Sequence, residues 1–156
     1  MHVSSISYKF NQHFSVPARK AFDWCTDYQP GDIALMGEEG ERRINRLTDD
    51  TVILEEHVIQ AGRKVSKVKL VKLNRDALSW YNIHLQGPNE YSEFIYQIVP
   101  ETARKSKLIF TGLLLVYGTK RISRQKLRQI ANREKLYDSR AWKRLASTMA
   151  EELRKA

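Results

Sequence analysis

The sequence predicts an α+β domain in which a curved antiparallel sheet of seven strands wraps around a long C-terminal helix, with two short helices between the first and second strands. Three observations carry that prediction. Turn signals recur through the middle of the chain: Thr48-Asp49-Asp50, Ala61-Gly62, Asn74-Arg75-Asp76, Gly87-Pro88-Asn89 and Pro100-Glu101-Thr102. Their spacing, about 12–14 residues, suits strands joined by short hairpins. The segments between them alternate apolar and polar residues, as an antiparallel sheet with one dry face requires. From Ser123 onward there is neither Pro nor Gly, and an apolar stripe recurs at helical spacing.

The elements follow in order. VSSISYKFNQHFSV, residues 3–16, reads as the first strand and runs into Pro17. A proline suits a first helical turn, where its missing N–H would be unpaired in any case. Beyond it Ala18, Ala21, Phe22 and Cys25 line one helical face. PGDIALMG, residues 30–37, gives a second helical piece, and ERRINRL a weakly patterned strand. TVILEEHV, VSKVKLVKL, LSWYNIHL, EFIYQIV and KLIFTGLLLV complete the seven. Lys67, Lys69, Lys72, Glu93 and Gln97 alternate with apolar neighbours and are assigned to the wet face. In the last segment Ile130, Tyr137, Ala141, Leu145, Met149 and Leu153 form the stripe. An unbroken helix of this length would span about 50 Å. Asp138-Ser139, both good N-caps, marks a break.

Composition narrows the function classes. The chain of 156 residues reads as one domain, 1–156, with 42% hydrophobic and 29% charged residues, an ordinary globular balance. No apolar run approaches the roughly 20 residues of a membrane span. The N-terminus lacks an apolar signal core, so a cytoplasmic protein is expected. The single cysteine, Cys25, offers neither a disulfide nor a Cys-rich metal site and reads as a buried, inert thiol. The net charge of +9 is local: residues 101–156 hold 15 Lys+Arg against 5 Asp+Glu. Most of that excess lies in residues 120–144, where Arg124, Arg128 and Arg133 are candidates for binding a polyanion such as RNA, the ribosome or an anionic membrane. Aromatic residues for base stacking are nearly missing there.

Nucleotide, zinc-protease, redox and hydrolase motifs are absent. Glu55-Glu56-His57 tempts a metal reading, but on a strand Glu56 and His57 point to opposite faces. No metal and no cofactor are expected. His84 shares a strand face with Leu78, Trp80 and Asn82; the other face carries Tyr81, Ile83 and Leu85. If the Gly87-Pro88-Asn89 turn pairs positions of even sum, Phe94, Tyr96 and Ile98 face inward with Leu78, Trp80 and Asn82. One residue of slip exchanges the sets.

The ordered set of segments resembles a known family. FSVPARKAFDWCTDY is similar to the strand–proline–helix entry of the START-like, helix-grip (SRPBCC) superfamily, with Phe22 at the aromatic position and Thr26-Asp27 at the helix end. RDALSWYNIHLQG is similar to its Leu-x-Trp strand with a following Gly turn, and AWKRLASTMAEELRKA to its closing helix. That group contains the birch pollen allergen, lipid-transfer START domains and polyketide cyclase/dehydrase-like proteins. The resemblance turns Trp80 toward the interior. It implies that a hydrophobic or amphipathic small molecule (a lipid, quinone or polyketide-like compound) lies between the sheet and the C-terminal helix. Leu35, Met36, Leu54, Trp80, Phe94, Tyr96, Leu145 and Met149 are the expected lining. A cyclase/dehydrase-like enzyme is the alternative, with His84, Tyr96 and Glu56 as acid–base candidates, and a basic-helix docking module is a third reading.

Overall fold

Pro17, three residues past the end of the first strand, starts the first helix in the computed structural model, which describes residues 1–155. It stands at the N-cap with φ −59°, one residue before the first helical turn, and its carbonyl accepts the Ala21 N–H at 3.0 Å. The chain runs β1 (His2–Phe14), α1 (Ala18–Cys25), α2 (Asp32–Leu35), β2 (Glu39–Thr48), β3 (Thr51–Gln60), β4 (Arg63–Asn74), β5 (Ser79–Gln86), β6 (Glu93–Pro100), β7 (Ser106–Gly118) and α3 (Arg124–Lys155). The seven strands form one antiparallel sheet in the order β1-β7-β6-β5-β4-β3-β2. Only the β1–β7 pairing is non-consecutive, and its 13 paired positions tie the N-terminal strand to the last one. No helix among the described residues is long and apolar enough to cross a membrane.

Register decides which side chains meet. Trp80 pairs with Tyr96 and Asn82 with Phe94, the even-sum arrangement. Paired residues point to the same face of a sheet, so each pairing extends a row. One inner row is Leu73–Trp80–Tyr96–Phe110–Phe10. The next is Val71–Asn82–Phe94–Gly112–Tyr8. Gly112 makes the second row possible: a Cβ there would lie 2.6 Å from the Tyr8 ring. The core fills the concavity with Phe22, Val52, Val71, Leu108, Phe110 and Met149, all at 2% exposure or less.

Two assignments change. Lys67 and Lys69 lie on the inner face, not the wet one, because Lys69 pairs with His84 and Lys67 with Glu56. Alternation of polar and apolar residues assumes that charge seeks water; here partners from other strands replace water. Lys72 does face outward, donating to Thr51 Oγ1 at 2.6 Å. The second change concerns α3, which runs unbroken through Asp138-Ser139 for 32 residues. Asp138 does not cap a helix. Its carboxylate turns inward and accepts the Tyr8 hydroxyl, while Ser139 Oγ donates to the Leu136 carbonyl. At 1.5 Å per residue the helix is about 48 Å long, and its first turn lies beside the start of β1. Ile130 is its first buried residue, followed by Ala141, Leu145 and Met149. Tyr137, expected on the stripe, is 48% exposed.

Candidate functional site

Between the sheet and α3 the side chains leave a cavity of two adjoining lobes. The apolar lobe, about 90 Å³, lies under α1 and α2. Its wall is aromatic: Trp80 and Tyr96 stack at 4.7 Å with planes 2° apart, and the Trp142 ring of α3 tilts against Tyr96 at 5.7 Å. Phe22 meets Trp80 edge-on at 5.7 Å and fixes its far side. Such pairs add roughly 0.5–1.5 kcal/mol each beyond their buried area. The polar lobe, about 200 Å³, opens toward the middle of α3 and the β5–β6 turn. Lys67, His84, Tyr8 and Asp138 line it. Met36, Lys69, Asn82, Tyr96 and Trp142 border both lobes.

A buried ion cluster supports the junction. Glu56 Oε2 accepts from Arg42 Nη2 at 2.6 Å and Nε at 2.9 Å, and its Oε1 accepts from Lys69 Nζ at 2.6 Å. The Glu56 side chain is 2% exposed and that of Arg42 5%. Burial alone would raise the Glu56 pKa; the Lys69 and Arg42 charges and their hydrogen bonds outweigh it and hold the carboxyl at about 2. Asp32, at the start of α2, stands 3.6 Å from Arg42 Nη1. The short helix is thereby tied to the sheet beside the apolar lobe.

The polar lobe carries a second set of groups. Burial, then the Lys69 charge, lowers the His84 pKa to about 4, so its imidazole is neutral at pH 7. The ring packs on Phe94 at 5.0 Å, with Nδ1 3.4 Å from the Pro88 carbonyl. Opposite, burial raises the Asp138 pKa to about 6 despite the Tyr8 hydroxyl that donates to it. Burial, with Asp138 beside it, also pushes the Tyr8 phenol up. Asn82, 8% exposed, donates from Nδ2 to the Tyr96 hydroxyl at 3.2 Å. Its Oδ1 is the one buried side-chain polar atom among the described residues without a hydrogen-bond partner.

The expected site residues fall into three groups. Met36, Leu54, Trp80, Phe94, Tyr96, Leu145 and His84 line one lobe or the other. Glu56 stands behind the wall, reaching the cavity through Arg42 and Lys69. Leu35 and Met149 line neither lobe: Leu35 is half-buried in α2, and Met149 is a fully buried core residue. Arg124, Arg128 and Arg133 are exposed on the first half of α3 and border neither lobe; Arg133 Nε is 3.7 Å from Glu134. Cys25 is partly buried at the edge of the apolar lobe, and burial pushes its thiol pKa well up, which disfavours the reactive thiolate. His57 is exposed on the outer face, its Nδ1 2.8 Å from Ser66 Oγ. His13, which has no evident partner in sequence, meets Glu101 of the β6–β7 turn at 2.6 Å.

Reading by sequence missed Arg42, Lys67, Lys69, Asp138 and Tyr8. A usable signal existed for three of them. Lys67 and Lys69 share parity with Val71 and Leu73. Asp138 stands three residues before Ala141 and seven before Leu145, which puts a carboxylate on the apolar stripe.

No family model matches the sequence, and no curated protein matches it. Solved structures do match in shape. The Zhui aromatase/cyclase from Streptomyces sp. R1128 superposes with a TM-score of 0.74 at 14% identity, covering 96% of this chain and 94% of that one. A START superfamily protein from Mycobacterium smegmatis gives 0.71 at 11% identity, over 92% and 98% of the two chains. Norcoclaurine synthase from Thalictrum flavum, in complex with dopamine and hydroxybenzaldehyde, gives 0.70 at 11% identity, over 98% and 88%. A seven-stranded antiparallel sheet closed on one long C-terminal helix, with two short helices between its first two strands, is common to the expectation and to the structure: the chain has the START-like, SRPBCC helix-grip fold.

Proposed function

We propose that the protein binds a flat, amphipathic small molecule in the two-lobed cavity, with an aromatic or polyene portion against Trp80, Tyr96 and Trp142 and a hydroxyl or N–H group at Asn82. The unpaired Asn82 Oδ1, buried where the lobes meet, carries this reading. A buried acceptor without a donor costs roughly 1–3 kcal/mol. A ligand hydroxyl in the cavity recovers that cost, and a hydrocarbon does not. The apolar lobe supplies area and the polar lobe orientation, the usual division of labour in ligand pockets. The neighbouring folds include proteins named as an aromatase/cyclase and a START superfamily protein, which supports small-molecule binding in this space.

The test compares 2-naphthol with naphthalene by quenching of tryptophan fluorescence. Naphthol is expected to bind about tenfold more tightly, and Asn82→Leu to remove the difference, since one hydrogen bond to a buried group contributes about 1.4 kcal/mol or less. Equal affinities in the unaltered protein would defeat the proposal. A second variant probes the apolar lobe. Leu145 borders it at 7% exposure. Leu145→Trp is expected to occupy that space and weaken naphthol binding with little change in Tm. In a solid core the same change would overpack by about 1–3 kcal/mol and lower Tm by several degrees. A large drop in Tm is the result that counts against the cavity.

A further inference from the structure

We infer that Lys67 is a nucleophilic amine that captures carbonyl compounds in the polar lobe as imines, with Asp138 as the proton donor. The inference rests on the ligand-binding reading of the cavity and adds covalent chemistry to it.

The geometry singles out one lysine. Glu56 lies directly across from Lys67 in the β3–β4 register, the natural ion-pair partner. Both Glu56 oxygens are already engaged, Oε1 by Lys69 and Oε2 by Arg42. Lys67 therefore faces the polar lobe with no ion pair and no side-chain hydrogen bond among the described residues. Lys69, two residues on, is held by Glu56 Oε1 at 2.6 Å. Burial first, and then the Lys69 charge, lowers the Lys67 pKa, which enlarges the free-amine fraction at neutral pH. Glu38, Glu56 and Asp138 pull the other way, and His84, also lowered, adds no charge at pH 7.

The proton inventory of the lobe fits the reaction. Asp138 titrates at about 6, so both its forms are present near neutrality. Its Oδ2 accepts the Tyr8 hydroxyl, which orients the carboxyl. Neutral Lys67 Nζ attacks the carbonyl carbon, and the carbonyl oxygen takes the proton from Asp138. The nitrogen of the adduct returns a proton to the Asp138 carboxylate, which passes it to the hydroxyl; water leaves as the C=N bond forms, and the iminium nitrogen then gives its remaining proton back to Asp138. Amine and carbonyl yield imine and one water, with no change of oxidation state. The cavity favours an aldehyde or ketone carried on a flat apolar body, the aromatic wall holding the body and the polar lobe the carbonyl.

The experiment treats the intact protein with 2-naphthaldehyde and sodium cyanoborohydride near pH 7, followed by peptide mapping. A single reduced adduct on Lys67 is expected, formed at least tenfold faster than on any exposed lysine. Excess 2-naphthol should slow it by occupying the cavity. Lys67→Arg should abolish the selective adduct. Labelling spread over exposed lysines, or unaffected by naphthol, overturns the proposal. Saturable naphthol binding in that same sample would show that the cavity reading survives; its absence would show that both fall together.

Discussion

Glu56→Ala is expected to destabilise the protein by about 3–5 kcal/mol, the usual consequence of stripping one partner from a buried charge cluster. Arg42 and Lys69 would be left facing each other across the space Glu56 occupied, at 5% and 14% exposure. The Tm should fall by roughly 10 °C, taking about 2–4 °C per kcal/mol for a chain of this size. Acid should reproduce the loss in the unaltered protein. The folded Glu56 pKa is depressed to about 2 from an unperturbed 4.5. Its stabilisation is therefore complete above pH 4.5 and disappears as the pH falls through 2. Denaturant unfolding of both proteins at pH 7 and pH 3 checks this: the gap between them should narrow at pH 3. A gap that stays constant with pH would mean that Glu56 contributes packing and not charge. Replacing all three members with apolar residues should recover much of the stability, while removing the Lys69 ammonium from the junction of the lobes.

The cluster also shows what the sequence could convey. Alternation placed the strands other than β2, because each has an apolar side and local turn residues bound it. Pro17 and the pattern of Ala18, Ala21 and Phe22 placed α1 for equally local reasons. The even-sum register of β5 and β6 followed from a short turn once Trp80 was turned inward. The polar half of the site takes its partners from elements distant in sequence. Lys67 and Lys69 look solvated until Glu56 and Arg42 are seen beside them, and Arg42 comes from a strand whose own pattern is nearly all exposed. Asp138 looks like a cap because its real partner, Tyr8, is 130 residues away. Tyr8 in turn reaches inward only because Gly112, across the sheet, has no side chain. Each of these placements is a cooperative property of several elements, so alternation alone sends Lys67 and Lys69 to solvent.

Asp138→Asn is expected to stabilise the protein at pH 7 by about 2–3 kcal/mol. The carboxylate is buried against the Tyr8 hydroxyl, with Glu134 adding repulsion on the same helix and Lys67 and Lys69 of β4 only partly compensating. Its folded pKa of about 6 stands above the ordinary 3.8. A raised carboxyl pKa favours the protonated form, so its contribution is most favourable below pH 3.8 and is lost as the pH rises through 6. The two-unit rise corresponds to roughly 3 kcal/mol of cost at pH 7. Asparagine keeps an oxygen that accepts the Tyr8 hydroxyl and removes the charge. The Tm should rise by roughly 5–10 °C at pH 7, and the gain should shrink toward zero at pH 4. An equal gain at both pH values would point to helix propensity and not to charge. A loss at pH 7 would mean that Lys67 pairs with the carboxylate more closely than the unpaired geometry allows. The same variant should slow reductive trapping of 2-naphthaldehyde at Lys67, because no carboxyl proton is left to meet the carbonyl oxygen. Greater stability joined to slower capture is the signature of a group kept at the expense of the fold for the chemistry it performs.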